Sequence, residues 1–385
     1  MASTIVAGLD IGSSSIRLVV VEPVRGGQPR ILAQVKKESR GLRRGYIVNA
    51  DETLENLRTV IAEAEREAKL RLRSVFLGLG GITLETRAAE GQVIVSKGDL
   101  EINEVDLERA RSASEQALGD FQNRRIIYQT PIGWKIDGKK VLGRPEGLRG
   151  TKLEVKTLFV HALAQHFNDL VRVVEQAGLE VEDVIASPIA ASLVTLSTTQ
   201  KAAGCILANI GSQTTSVITF EEGGPVALQV LPIGSNDVTN DIALGLRVSI
   251  EEAEKIKLDP ISALTWKRKL DEIIEARVID MFELIDTHLK KIGRSGLLPA
   301  GIIIVGGGAN TPELERTAKN VLRLPAKVFN PLEEPALKNQ IKDSGWVVAY
   351  GLCLAGLRVE REHSPAFRLK GFGRSFMRWF RDFWP

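Results

Sequence analysis

Residues 8–20 read GLDIGSSSIRLVV, and this stretch decides the fold that the rest of the chain predicts. An apolar strand ends at Asp10, the chain turns through Gly12 and three serines, and a second apolar strand follows. Gly12 allows the backbone to approach a phosphate closely, and the serine hydroxyls and N–H groups can donate to its oxygens. Asp10 can hold a metal ion through water. The stretch therefore predicts a phosphate-binding hairpin, although most such turns in proteins only join two strands.

Three later segments complete the pattern. Residues 205–220, CILANIGSQTTSVITF, repeat the strand, turn and strand, so that two facing hairpins can clamp the phosphates of a nucleotide. Residues 301–315, GIIIVGGGANTPELE, place three glycines between a buried strand and a helix, which suits close packing against an adenine. In EEAEKIK, Glu254 and Lys257 lie three apart on one helix face, where they can reach ribose hydroxyls and the adenine edge.

Short apolar runs alternate with longer helical patterns on both sides of the chain's middle, which predicts an α/β fold with two related halves. Strands are expected at 5–9, 16–22, 74–79, 205–210, 216–220, 226–232 and 302–305, and a helix at 53–70. Strands at 90–96 and 152–160 around a charged helix at 104–118 predict a small α+β insertion. A 3.6-residue apolar period predicts a long helix over 269–291.

Composition limits the function. With 51 Lys and Arg against 48 Asp and Glu in 385 residues, the charge is nearly balanced, and no overall positive field exists to attract nucleic acid. Two cysteines far apart argue against zinc and against a disulfide framework, and favour a reducing compartment. The first apolar run lacks a preceding basic region and carries Asp10, which argues against a signal peptide. The chain has no run of about 18 apolar residues, so the sequence predicts no membrane-spanning helix.

The last fifteen residues, GFGRSFMRWFRDFWP, form a distinct segment. On a helical projection the aromatic side chains share one face with Met377 and the arginines share the other, which predicts an amphipathic helix on a membrane surface. An internal helix of this kind would dock on its own domain, but this one follows a polar stretch. Each Arg near an anionic leaflet adds roughly 1 kcal/mol. The predicted membrane-binding residues are Phe372, Arg374, Phe376, Arg378, Trp379, Phe380, Arg381, Phe383 and Trp384.

The chain resembles the FtsA family of actin-like bacterial cell-division proteins. The resemblance rests on SRGLRRGYIVN at 39–49, VEQAGLEVEDV at 174–184 and TNDIALGLRVSIEEAEKIK at 239–257, and it runs from Ile5 to the C-terminus. It implies an actin-like two-lobed ATPase fold with an inserted α+β subdomain. The implied parts are subdomain 1A at 1–84 and 162–204, 1C at 85–161, 2A at 205–247 and 300–357, a short 2B at 248–299, a linker at 358–370 and the membrane helix at 371–385.

The resemblance also implies cofactors and partners. These are ATP or ADP with Mg²⁺, the C-terminal peptide of the tubulin-like protein FtsZ, further copies of the chain in a filament, other divisome proteins through 1C, and anionic lipid. The implied location is the cytoplasmic face of the inner membrane at the division site. Arg277 is the residue expected to meet an acidic residue of FtsZ. The predicted nucleotide-binding residues are Asp10, Gly12, Ser13, Ser14, Ser15, Asn209, Gly211, Ser212, Gln213, Thr214, Thr215, Gly234, Glu254, Lys257, Gly306, Gly307 and Gly308, with Asp10 also predicted to contact the metal ion.

Departures from the family pattern predict nucleotide binding without fast hydrolysis. Where the family usually reads DIGGGTTD, residues 209–216 read NIGSQTTS, so that Asn209 and Ser216 replace two aspartates. Ser187 stands where a glutamate would position the attacking water. An amide or a hydroxyl supplies neither negative charge nor a base. The same losses count against a small-molecule kinase of the superfamily, and the aromatic tail and residues 39–49 favour FtsA over a PilM-like pilus scaffold.

Overall fold

The structure is a computed structural model, and it describes residues 5–362 except 25, 97, 120, 260–265 and 339. The strands are β1 Val6–Ile11, β2 Ser15–Glu22, β3 Arg30–Glu38, β4 Leu42–Arg43, β5 Tyr46–Ile47, β6 Ser74–Leu79, β7 Glu85–Ile94, β8 Arg124–Ile136, β9 Lys139–Val141, β10 Lys152–Leu163, β11 Glu180–Ala186, β12 Cys205–Ile210, β13 Thr215–Glu221, β14 Gly224–Leu231, β15 Ile302–Val305 and β16 Ala326–Val328. The helices are α1 Ala50–Ala68, α2 Glu104–Gln116, α3 Ala164–Gln176, α4 Ser187–Thr195, α5 Thr198–Ala203, α6 Ser235–Leu246, α7 Ile250–Leu258, α8 Lys267–Lys291, α9 Leu314–Leu322 and α10 Val347–Glu362.

The first sheet has the strand order β11-β6-β1-β2-β3. Strand β1 runs antiparallel to β2 and parallel to β6, so it lies at the centre of this sheet. Helix α10 packs directly on β1: a Cβ at Gly8 would lie 2.2 Å from the carbonyl oxygen of Ala349. Only glycine permits this separation, and it brings the first turns of α10 against the strand that leads into the first hairpin.

The second sheet has nine strands in the order β16-β15-β12-β13-β14-β7-β10-β8-β9. Strands β7 to β10 come from the predicted insertion, so this insertion extends the second sheet rather than forming a sheet of its own. The junction is narrow, because β14 pairs with β7 through Gln229 and Glu85 alone. Thr86 supplements the pair, since its Oγ1 accepts from the N–H of Leu228 at 3.1 Å and lies 3.2 Å from the Leu228 oxygen.

Three apolar cores support these sheets. The largest surrounds the first sheet, and a smaller one holds α2 against β7 and β10 of the insertion. The remaining core lies between the second sheet and helices α6 to α9. In α8 the buried side chains recur with the helical period, which confirms the predicted long helix; they are Leu270, Ile274, Val278, Met281, Phe282, Ile285, His288 and Leu289.

The predicted strands and helices are present, and their observed ends differ from the predicted ones by a few residues. One prediction is wrong in part: helix α10 continues to Glu362, so the first five residues of the predicted linker at 358–370 are helical. The rest of that stretch lies outside the described residues. Within the stretch predicted as 2B, the described residues between Ile250 and Lys291 form α7 and α8 and contain no strand. No helix in the described part of the chain combines the length and the apolarity needed to cross a bilayer.

Candidate nucleotide-binding cleft

The two predicted phosphate hairpins have the same turn. In the first, the N–H of Gly12 donates to the carbonyl oxygen of Ser15 at 3.1 Å, and in the second the N–H of Gly211 donates to that of Thr214 at 2.8 Å. A Cβ on either glycine would lie about as close to the same oxygen, at 3.1 Å and 2.9 Å respectively. Both turns therefore favour glycine at the same position.

One short segment brings the hairpins together. Ser13 Oγ accepts from the N–H of Gly45 at 2.9 Å, and Gln213 Oε1 accepts from the N–H of Arg44 at 2.7 Å. Because Arg44 and Gly45 are consecutive residues, the Gln213 and Ser13 side chains bind neighbouring backbone N–H groups. The two turns therefore lie close together. The two hairpins thus face each other across a cleft between the two sheets, and residues 44–45 cross it.

His166 fixes this crossing segment, and the sequence did not reveal its role. Its ring stacks on Tyr46 at 4.8 Å between centroids, and its Nε2 donates to the carbonyl oxygen of Gly45 at 2.9 Å. Its Nδ1 accepts from the hydroxyl of Thr83 at 2.8 Å, a tautomer assigned from these partners. Burial lowers the pKa of His166, so the ring is neutral at pH 7. The segment 39–49 is therefore held from the side of the first sheet.

The three glycines after β15 have different environments. Gly306 has a φ of +99°, and a Cβ there would lie 2.4 Å from both Asn209 Oδ1 and the carbonyl oxygen of Ile210. A Cβ on Gly308 would lie 2.6 Å from Ile210 Cγ2. Gly307 is exposed, and the nearest atom to its Cβ direction is Arg17 Nη2 at 4.0 Å. Gly306 and Gly308 thus pack the turn on the second hairpin, whereas Gly307 faces the open cleft.

The first residues of α6 form hydrogen bonds to the backbone of the second hairpin. The N–H of Ser235 donates to the oxygen of Gly211 at 2.9 Å, and that of Asn236 donates to the oxygen of Ser212 at 2.8 Å. A Cβ on Gly234 would lie 2.5 Å from the same Ser212 oxygen. The first N–H groups of α6 therefore hold the hairpin backbone.

Glu254 and Lys257 lie on one face of α7, as predicted, and they contact each other. Lys257 Nζ lies 2.6 Å from Glu254 Oε2 and donates to Thr239 Oγ1 at 2.8 Å and to the oxygen of Ser235 at 3.3 Å. The Lys257 side chain is only 8% exposed, whereas that of Glu254 is 42% exposed. Lys257 thus attaches α7 to the start of α6, and Glu254 is the member of the pair that a ligand can reach.

Asp10 and Arg17 lie opposite each other on β1 and β2. Burial raises the pKa of Asp10 to about 6, and the positive charge of Arg17 opposes that shift. The Arg17 guanidinium carbon lies 5.9 Å above the Trp346 ring. Arg17 was not among the predicted site residues, although one charged residue inside an apolar strand was a signal for it.

The donor set for a protein-held metal ion is poor. Among the residues that the structure describes, no three His, Cys, Asp or Glu side chains lie close enough to hold one. Asn209 lies on β12 and Ser216 on β13, where the family pattern has carboxylates. Ser187 Oγ is buried at the start of α4, with no hydrogen-bond partner among the described residues.

Two predicted interaction sites have different outcomes. Arg277 forms a bidentate ion pair with Asp241, at 2.5 Å and 3.0 Å, and lies 3.4 Å from Asp280. Its side chain is 29% exposed, and in the structure its ion pair with Asp241 joins α8 to α6. The predicted membrane helix at 371–385, with all of its predicted membrane-binding residues, lies outside the described residues.

Known bacterial cell-division proteins are similar to this chain over most of its length. The sequence model of the cell division protein FtsA matches residues 206–351, and that of the SHS2 domain inserted in FtsA matches residues 81–161. The cell division protein FtsA of Bacillus subtilis is 30% identical over 345 residues, which cover 84% of this chain and 78% of that protein. This chain belongs to the FtsA family. FtsA of Pseudomonas aeruginosa is 28% identical over 379 residues, covering 93% of this chain and 90% of that protein.

Solved structures extend the comparison of this FtsA family member to its fold. A PilM–PilN type IV pilus biogenesis complex contains a chain with a TM-score of 0.66 at 19% identity, covering 91% of this chain and 98% of that one. MreB5 of Spiroplasma citri bound to ADP has a TM-score of 0.54 at 13% identity, covering 94% and 98%. The fold is therefore actin-like, with the inserted SHS2 subdomain, as the sequence predicted.

Proposed function

We propose that this chain is a nucleotide-binding, membrane-tethered filament protein that anchors FtsZ to the cytoplasmic membrane during bacterial cell division. The observation that carries the proposal is the cleft, in which two equivalent hairpins face each other and exposed Gly307 faces the space beside them. Membership of the FtsA family supplies the cellular role. We prefer it to a pilus scaffold because the curated relatives compared above are division proteins.

The nucleotide is ATP or ADP. Its phosphates lie between the two turns, where the Ser13 hydroxyl and Gln213 Nε2 donate to phosphate oxygens while Ser13 Oγ and Gln213 Oε1 accept from the N–H groups of residues 44–45. Backbone N–H groups in the turns provide further donors. The adenine lies against Gly307, whose Cβ direction is open. Its neighbours Gly306 and Gly308 have no room for a side chain. Glu254, the exposed member of its pair, faces the ribose.

Asp10 would hold a nucleotide-bound Mg²⁺ through water, and the ion would neutralise charge on the phosphates. Hydrolysis is slow. Asn209, Ser216 and Ser187 supply neither the carboxylates for a second metal contact nor a base for water, and this supports binding as the main property of the cleft.

The remaining functions follow the family. The C-terminal peptide of FtsZ docks on 2B beside α8, other division proteins contact the insertion at 85–161, and copies of the chain form filaments. The segment 371–385 lies on anionic lipid with its aromatic face inward. One such helix binds reversibly, and a filament that carries many binds firmly. The protein is therefore peripheral on the cytoplasmic face of the inner membrane.

The test replaces Gly307 with Leu in the full chain. Its Cβ direction is open and its φ is not in the left-handed region, so the substitution leaves folding intact and fills the adenine site. We expect ATP affinity to fall at least about tenfold by calorimetry, which is about 1.4 kcal/mol. Gly133→Leu is the matched control, because a Cβ there meets no atom within 4 Å and the residue lies in the insertion on β8.

The membrane and FtsZ parts are tested on the same samples. Sedimentation with anionic vesicles and binding of a synthetic FtsZ C-terminal peptide should be unaffected by Gly307→Leu. Unchanged ATP affinity in that variant would contradict the cleft assignment, and failure of the wild type to pellet with vesicles would contradict the tether.

A further inference from the structure

The His166 ring packs on a point where two backbone turns cross beside the cleft. Gly45 and Gly81 approach so closely that a Cβ on Gly45 would lie 2.5 Å from the Gly81 Cα. Both glycines have positive φ, +87° and +91° respectively. A Cβ on Gly81 would lie 2.9 Å from His166 Cε1, so the ring fills the space that a side chain would take. His166 is 2% exposed, and it therefore belongs to the support of this crossing.

Three contacts set the orientation of the His166 ring. Its Nε2 donates to the carbonyl oxygen of Gly45 at 2.9 Å, and the Tyr46 ring stacks on it at 4.8 Å between centroids. Its Nδ1 accepts from the Thr83 hydroxyl at 2.8 Å. The Thr83 bond selects the tautomer, because a proton on Nδ1 would leave Nε2 with a lone pair that faces the Gly45 oxygen. The ring thus holds Gly45 by a directed hydrogen bond.

The same two residues, 44 and 45, bind both hairpins. The N–H of Gly45 donates to Ser13 Oγ at 2.9 Å, and that of Arg44 donates to Gln213 Oε1 at 2.7 Å. These bonds determine which atoms the side chains offer to a ligand. With Oε1 accepting from Arg44, the Gln213 amide offers Nε2, whereas a freely rotating amide can also present an oxygen that repels phosphate. The position of residues 44–45 therefore controls the donors of both turns.

We propose that His166 is a positioning residue for nucleotide binding, which holds residues 44–45 so that Ser13 and Gln213 present donors to the phosphates. This inference rests on the proposed nucleotide-binding function. His166 acts through the backbone of Gly45 and not by contact with the ligand. Its effect is confined to the phosphate end of the nucleotide, and the binding of adenine and ribose does not depend on it.

The test measures the affinities for ATP and for adenosine, which has no phosphate, by calorimetry on the full chain in a buffer with MgCl₂. His166→Leu keeps an apolar side chain on the glycine crossing and removes both hydrogen bonds. It should weaken ATP binding about 10- to 30-fold, as expected for the loss of one or two oriented hydrogen bonds, and leave adenosine binding unchanged. His166→Gln can still donate to the Gly45 oxygen and should bind ATP within about threefold of wild type.

His288→Leu is the matched control. His288 is also buried, at 7% exposure, and lies in the last turn of α8, so this variant reports the general effect of replacing a buried histidine with leucine. Its ATP affinity should equal that of wild type. Thermal melts of each variant verify folding.

A second pair of variants applies if His166→Leu does not fold. Thr83→Val removes the hydroxyl that selects the His166 tautomer, and ATP affinity should fall about 3- to 10-fold. Thr83→Ser keeps a hydroxyl and should retain wild-type affinity. Wild-type affinity in Thr83→Val would then overturn the inference.

The outcomes separate the inference from the function on which it rests. Wild-type ATP affinity in His166→Leu, or an equal loss for ATP and adenosine, overturns the positioning role and leaves nucleotide binding standing. If adenosine binds too weakly to measure, the two His166 variants decide, and equal ATP affinity in both overturns the role. An absence of ATP binding by the wild type overturns the proposed function itself. A loss for ATP that the Gln variant largely restores supports the inference.

Discussion

Acid should weaken the junction between the insertion and the rest of the protein through His161. This residue lies on β10, is 3% exposed, and packs edge-on against Phe121 at 4.6 Å. Arg124 Nη1 donates to its Nδ1 at 3.3 Å, so the ring is neutral. Burial lowers its pKa from 6.5 to about 4, with Glu85 opposing the shift and the neighbouring arginines adding to it.

The sign and size follow from these pKa values. The unfolded strand binds a proton near pH 6.5 and the folded one only near pH 4, so stability is full above pH 6.5 and falls as the pH drops towards 4. Between pH 7 and pH 5 the loss is about 2 kcal/mol. Amide hydrogens of Lys152–Leu163 should therefore lose about 30-fold in protection, after correction for the intrinsic effect of pH.

His161→Gln is the comparison, because glutamine can accept the same hydrogen bond from Arg124 and cannot take up a proton. Other titrating groups are common to both proteins and cancel. Mass-spectrometric hydrogen exchange at pH 7 and pH 5 gives the two losses directly. Equal losses of protection in wild type and His161→Gln would refute the reasoning.

Three further outcomes are expected. Arg277→Glu breaks the ion pair with Asp241 and should lower the free energy of unfolding by about 1–3 kcal/mol, measured by thermal melts. Adding Asp241→Arg should restore part of that loss. No change in either variant would mean that the pair contributes nothing to stability. Deleting 371–385, or changing both Trp379 and Phe383 to Glu, should abolish pelleting with anionic vesicles, and wild-type pelleting of the double Glu variant with neutral vesicles would contradict the tether. Steady-state phosphate release should stay far below about 10 per second, the median of ordinary enzymes, and a rate near that value would contradict slow hydrolysis.

The sequence predicted the parts of the cleft that local backbone geometry determines. Both hairpins and the glycine turn follow from strand patterns interrupted by glycine and hydroxyl residues, and the structure contains them at those positions. Such features depend on a few consecutive residues, so one sequence suffices to predict them. Their use by a nucleotide stays a prediction.

What the sequence did not predict depends on contacts between distant residues. His166 acts on Gly45 across 121 positions, and no local pattern signals that bond. The Arg17 guanidinium lies beside Trp346 and the glycine turn, and only the folded chain reveals these neighbours. Local evidence also misled once: the polar residues after Gly356 suggested a linker, but Arg and Glu are good helix formers and α10 continues through them.

The narrow junction between β14 and β7 offers a way to detect movement of the insertion relative to the rest of the second sheet. The N–H of Leu228 is held by the hydroxyl of Thr86 instead of by a backbone carbonyl, at the point where the second sheet passes into the insertion. A hinge movement between those two parts must first separate this donor from its acceptor. The exchange rate of a single amide, that of Leu228, therefore registers how often the insertion swings away, and it does so without any label on the protein.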